Sequence, residues 1–278
     1  MSKEQIAQTG QVIYFSHGGG PLPILNDPSH EKMIHFMKNL SPNIRRPEAI
    51  IVFSAHWEEN TVTIQSGREP ELVYDYYGFP EEAYTIQYPS KGNPLLAEKI
   101  AQLFDRNGIE WRLDDQRSYD HGSYIPLKMM YPLADIPVIQ ISLHHSLSPQ
   151  THLALGKALR PLLEENILII GSGFSFHNMS RFDFEGRNVE DPQNNGFQDQ
   201  LIDLCCHEIN EEKRWERFIN WERIPGARYC HPREEHLLPL LVCVGLSGSP
   251  GEKIFDDSIL GKRAVAFLWR DGGNNHIV

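Results

Sequence analysis

Short runs of β-branched and aromatic residues recur along the chain. Val12-Ile13-Tyr14-Phe15 and Ala49-Ile50-Ile51-Val52-Phe53 are apolar at consecutive positions. Such runs lack the alternation of a half-exposed strand and fit strands covered on both faces. The same pattern predicts strands at 11–15, 49–54, 62–65, 137–143, 166–171 and 264–269. Helical periodicity falls between them, at 29–39, 94–106, 123–131, 151–163, 196–212 and 234–246. Asn93-Pro94 opens the helix at 94–106 and Gly108 closes it, the expected placing of Pro just inside a start and Gly just past an end. Strand and helix largely alternate, which predicts an α/β fold with a mostly parallel or mixed central sheet flanked by helices. Long loops at 66–92 and 180–195 are rich in Gly, Pro, Asn, Asp and aromatics, and long loops often wall active sites. No repeat, low-complexity tract or linker breaks the pattern, so a single domain over residues 1–278 is expected.

Composition narrows the class. Of the 278 residues, 40% are hydrophobic and 23% charged, enough for a sizeable core under an ordinary water-facing surface. A net charge of −11 argues against non-specific binding to nucleic acid, which needs an excess of Lys and Arg. No apolar run approaches the length of a bilayer span, so no membrane partner is expected. The start Met1-Ser2-Lys3-Glu4-Gln5 is polar, unlike a secretory signal. Cys205, Cys206, Cys230 and Cys243 form no C-x-x-C pair, which disfavours a cysteine zinc site and suits reduced thiols in a cytoplasmic protein.

Candidate chemistry lies in the histidines. Five of the thirteen stand in contexts that suggest a site. His17 and His56 follow the first two strands, at the sheet edge where α/β folds place their chemistry. His121 lies at the mouth of a helix, His177 follows the run Ile167-Leu168-Ile169-Ile170, and His236 sits near the start of a late helix. The glycines after His17 allow positive φ or a close backbone approach. Three imidazoles, or two with a carboxylate, suit zinc or non-haem Fe(II), and spacing does not choose between them. There is no H-E-x-x-H, and Gly171-Ser172-Gly173 lacks the spacing of a nucleophile elbow, so Ser172 reads as structural. His30, His35, His144, His145, His152, His207 and His276 read as surface or structural residues, while His231 fits either a helix cap or the rim of the site.

Seven motifs in order then carry a resemblance. They are Ser16-His17-Gly18-Gly19-Gly20-Pro21, Ser54-Ala55-His56-Trp57, Tyr74-Asp75-Tyr76-Tyr77-Gly78-Phe79-Pro80, Tyr88-Pro89, the stretch from Asp120-His121-Gly122 to Leu127, the stretch from Gly171 to Asn178, and the stretch from Glu234 to Leu240. Together they resemble the class III extradiol ring-cleaving dioxygenases, in the branch related to 4,5-DOPA extradiol dioxygenase. The resemblance spans about residues 12 to 270. It implies an oxidoreductase with one α/β domain and a mononuclear Fe(II), which inserts both atoms of O2 into a catechol to give a muconic semialdehyde. It also implies His17 and His56 as metal ligands. The third ligand falls at Glu235-His236, a glutamate in the wider superfamily and a histidine in this branch, and the branch motif E-H-x-x-P-L selects His236. His177 matches an acid–base residue, and His121 a second histidine lining the substrate and O2 pocket. No organic cofactor is implied, and zinc can occupy such an iron site in purified protein. Relatives carry H-G-S-P where this chain has a third glycine, which alters the pocket floor. Asp27, Tyr76 and Phe79 are candidates for its walls. A zinc hydrolase using the same histidines and a non-enzymatic binding protein on the same fold are the rival readings. A homodimer would be the commonest assembly, though no residue pattern specifies one.

Overall fold

The computed structural model describes residues 10–184, 190–207 and 209–270. His276 and positions 185–189 of the second long loop lie outside the described residues. Among the described residues eight strands form one sheet. They are β1 (Gln11–Ser16), β2 (Ala49–Glu59), β3 (Val62–Gln65), β4 (Trp111–Asp114), β5 (Val138–His144), β6 (Ile167–Gly173), β7 (Glu252–Ile259) and β8 (Lys262–Trp269). Their order across the sheet is β4-β3-β5-β2-β6-β1-β8-β7. The central strands β5, β2, β6 and β1 are parallel, whereas β8 pairs antiparallel with β1 and β3 antiparallel with β5. The sheet is therefore mixed around a parallel centre. The unbroken apolar runs form that centre, and every residue of β1 and β6 is buried.

Helices α1 (Glu31–Leu40), α2 (Pro94–Arg106), α3 (His121–Met130), α4 (Pro149–Ala158), α5 (Pro192–Cys206), α6 (Glu211–Ile219), α7 (Ala227–Cys230) and α8 (Leu238–Ser247) flank the sheet. Alternation along β6 separates two of them. Gly171 faces the Pro239 carbonyl and the Cys243 sulfur on α8, while the Ser172 hydroxyl points the other way, to the Gly122 carbonyl on α3.

Several elements differ from the hydrophobic reading. The strands β4 and β7 are additional, and both lie at sheet edges, where partly exposed polar residues replace an apolar run. The strand β2 continues past Phe53 to Glu59 through a register shift between Phe53 and Glu58, so His56 sits within the strand, in the irregular stretch. The helix expected at 196–212 starts at Pro192, capped by the Asp191 carboxylate, and ends at Cys206. A separate Asn210 cap starts α6. The helix expected at 151–163 stops at Ala158, and a 3-10 turn carrying Pro161 follows. Among the described residues no helix is long and apolar enough to cross a membrane.

Helices α4 and α8 cross at glycines. A Cβ on Gly245 would lie 2.1 Å from the Leu153 carbonyl oxygen, and one on Gly156 2.0 Å from that of Val242. Gly245→Ala is expected to part the helices and lower stability by roughly 1–3 kcal/mol or more. Gly196, on α5, faces open space, so Gly196→Ala should raise stability by up to about 1 kcal/mol. Urea unfolding midpoints of the two variants, moving in opposite directions, check this pair.

Candidate active site and metal centre

Three neighbouring strand ends set the first part of the site. The strand β6 lies between β1 and β2, with Ser172 level with Phe15 on one side and Ser54 on the other. His17 leaves β1 with its backbone N–H donating to the Gly173 carbonyl at 3.0 Å. His56 reaches it from β2, and the two Nε2 atoms stand 3.0 Å apart. His236 arrives from the turn before α8. Its carbonyl accepts from Phe174 N–H at 3.0 Å and from the Tyr14 hydroxyl at 3.2 Å. That approach depends on Gly173, where a Cβ would lie 2.1 Å from the carbonyl oxygen. Arg233 ties the same turn to β2 by bonding both Glu58 oxygens at 2.6 Å. His17, His56 and His236 thereby offer ligand atoms within 4.8 Å of one another.

The hydrogen bonds also assign the ring protons. The Ser172 hydroxyl donates to the Gly122 carbonyl. It therefore accepts from His17 Nδ1–H, 3.1 Å away, and His17 Nε2 keeps its lone pair. His236 Nδ1 donates to Glu235 Oε1 at 2.8 Å. Its Nε2 is buried and has no hydrogen-bond partner among the described residues. Burial, with His177 nearby, pushes His236 down to about 3. Burial and the surrounding imidazoles hold His17 and His56 well below the ordinary histidine value. Neutral imidazoles are the metal-binding form. An orphaned buried nitrogen beside the His17 lone pair and the His56 ring fits a divalent cation, and three imidazoles suit zinc or Fe(II).

Two more histidines flank the cluster. The His177 ring stacks on His236 with centroids 3.3 Å apart, and its Nδ1 lies 3.3 Å from Glu235 Oε1. Burial alone would raise the Glu235 carboxyl, but the bonds from His177 and His236 outweigh it and hold it well below the usual range. His121 is the first residue of α3, with its ring centroid 3.9 Å from that of His56. Its backbone N–H and its Nδ1 both reach Asp75 Oδ1, at 3.0 and 2.8 Å. Burial would raise the Asp75 carboxyl, and the hydrogen bonds from His121 bring it below its ordinary value.

All five histidines singled out by sequence thus meet. Tyr76 and Phe79 stand beside them: Tyr76 lies 5.9 Å from His121 and 5.5 Å from Phe79 between ring centroids. Asp27 acts underneath the glycine turn. Its Oδ1 faces His30 Nδ1 at 3.0 Å, and His30 Nε2 accepts from Gly19 N–H at 3.0 Å. Gly18 has a φ of 87°, and a Cβ there would meet Pro23 at 2.8 Å. His231 is buried with Nε2 on the Ser175 carbonyl at 2.9 Å, so it belongs to the packing behind the site. Sequence reasoning missed Asp75 as a functional residue. It stands inside a quoted motif, but its partner His121 lies 46 residues further on.

A mixed α/β sheet with histidines gathered at its parallel strand ends presents a cluster that could hold a metal ion, the kind of centre that metal-dependent enzymes use. The family model described as the catalytic LigB subunit of aromatic ring-opening dioxygenase matches residues 11–267. Dioxygenase tasH of Hapsidospora irregularis is 38% identical over 95% of this chain and 86% of its own. The 4,5-DOPA dioxygenase extradiol of Mirabilis jalapa is 33% identical over 85% and 86%, respectively. The crystal structure of an uncharacterised Escherichia coli K12 protein, 26% identical, superposes with a TM-score of 0.74, covering 93% of this chain and 99% of that one. The chain belongs to the LigB family of extradiol ring-cleaving dioxygenases.

The buried histidines carry a pH signature. Below about pH 6.5 an unfolded chain takes up protons that His17 and His236 refuse in the metal-free folded protein. Stability of that form is present above this pH and is lost as pH falls toward about 3 for His236. The expected slope is roughly 1.4 kcal/mol per pH unit for each such imidazole. Urea unfolding of chelator-treated protein at about pH 5.5 and 7.5 checks it. His236→Gln should show the smaller difference.

Proposed function

We propose that this enzyme opens a catechol-type ring with O2, with His17, His56 and His236 holding Fe(II) and a muconic semialdehyde as product. The observation that carries the reading is the buried His236 Nε2, without a partner among the described residues and close to two more imidazole nitrogens. Glu235 supports His236 as the third ligand. Its Oε1 already receives the Nδ1 atoms of His236 and His177, so it orients imidazoles. The bound ion would supply coordination positions that bring both catechol oxygens and O2 together, and a route for electrons between them.

The side chains supply shape and proton handling. His177 keeps Nδ1 toward Glu235, so proton exchange with a phenolic hydroxyl falls to its Nε2. His121 stands on the other flank as a second proton-handling group. Tyr76 packs edge to face on His121, and Tyr74, Tyr84 and Phe79 pack edge to face or tilted around Tyr76, a wall suited to a flat ring. The names of the plant relatives favour a DOPA-like catechol.

Anaerobic reconstitution with Fe(II), followed by O2 and a panel of catechols, should give a ring-opened chromophore with matching O2 consumption. No chromophore from any catechol overturns the proposal, and turnover that ignores O2 points to a hydrolase. His17→Ala and His56→Ala should abolish metal binding, measured by elemental analysis. His177→Ala should keep most of the metal and lose roughly 10²–10⁴ in turnover. If turnover survives, the acid–base role assigned to His177 is wrong.

A further inference from the structure

The same arrangement occurs on both flanks of the three-imidazole cluster. On one side, Glu235 Oε1 lies 2.8 Å from His236 Nδ1 and 3.3 Å from His177 Nδ1. On the other, Asp75 Oδ1 lies 2.8 Å from His121 Nδ1, and Asp75 Oδ2 lies 4.0 Å from His56 Nδ1. Each carboxylate faces one imidazole of the proposed metal set and one imidazole beside it. We propose that Asp75 is a positioning residue that holds His121 in its Nδ1–H tautomer, so that His121 meets a substrate hydroxyl with a bare Nε2. The consequence for turnover rests on the ring-cleavage reading above; the tautomer itself does not.

The chemistry follows from donor and acceptor counts. A carboxylate accepts and does not donate, and a neutral imidazole carries one N–H. With Nδ1 at 2.8 Å from Asp75 Oδ1, the neutral ring carries that N–H at Nδ1 and its lone pair at Nε2. The His121 backbone N–H ends on the same oxygen at 3.0 Å, so ring and helix start are held by one atom. His121 cannot turn over without breaking this contact. An unheld imidazole in water favours the proton on Nε2, which would make His121 a donor where the reaction needs an acceptor. Asp120, the preceding residue, does not share this task. Its carboxylate is taken by Ser54 at 2.7 Å, Arg117 at 2.9 Å and Gln140.

The first test uses metal-free, nitrogen-15-labelled protein. Two-bond proton–nitrogen correlations of the His121 ring should show a protonated Nδ1 and an unprotonated Nε2. A wild-type ring protonated at Nε2 overturns the proposal. In Asp75→Ala the ring should move largely to the Nε2–H form, and an unchanged tautomer also overturns it. The second test uses Fe(II)-loaded enzyme. Asp75→Ala should lose roughly 10–100-fold in kcat, with KM and iron content nearly unchanged, and Asp75→Glu should recover part of the loss. A change confined to KM, or iron lost in step with activity, overturns the positioning role. Should Asp75→Ala fail to fold, Asp75→Asn replaces it in both tests, because its amide keeps an acceptor for the helix start yet can also donate to Nδ1. If wild-type enzyme opens no catechol, the ring-cleavage reading fails, and the ring spectrum still decides the tautomer.

Discussion

The carbonyl oxygen of His236 lies where a side chain at position 173 would begin, 2.1 Å from the place of a Cβ. Two of the three clustered imidazoles arrive from the sheet itself, because His17 and His56 come from strands on either side of β6. The third must cross from the turn before α8, and it reaches them only by laying its backbone against the end of β6. Gly171 admits the Pro239 carbonyl in the same way one step earlier. Between these glycines Ser172 points to the opposite face and holds His17. The Gly-Ser-Gly sequence is therefore a two-sided joint, with backbone received on one side and an imidazole anchored on the other. A larger residue at position 173 would displace His236 and leave a two-imidazole site.

Protonation follows from this crowding. Buried imidazoles at such distances cannot share positive charge without solvent to screen it, so the folded protein keeps them neutral. Neutral rings still need orientation, and hydrogen bonds at Nδ1 supply it from Ser172, Glu235 and Asp75. In a neutral ring each such bond leaves the opposite nitrogen without a proton. The same rule thus orients the rings at the centre and at the flanks alike.

Much of this was legible from residues alone, and the rest was hidden for physical reasons. The central strands are buried on both faces, so they wrote themselves as apolar runs. The strands β4 and β7 are edges with polar, partly exposed residues, and no hydrophobic pattern marks such strands. The five histidines showed through their positions after strands and before helices. Asp75 did not, because only the folded loop brings it to His121. The glycines after His17 acquired their reason from His30, whose buried ring accepts the Gly19 N–H and fills the space beside Gly18. An apparently ordinary histidine thus explains a motif that backbone freedom alone left open.

The contact between Tyr14 and the His236 carbonyl joins residues 222 positions apart. A pairing so distant closes a loop that holds most of the chain, so it is secured by tertiary packing and not by neighbours in sequence. The position of the third imidazole thus depends on how α8 and the turn before it dock on the sheet centre, not on any local segment. Loss of that docking would scatter the cluster without altering any of its residues.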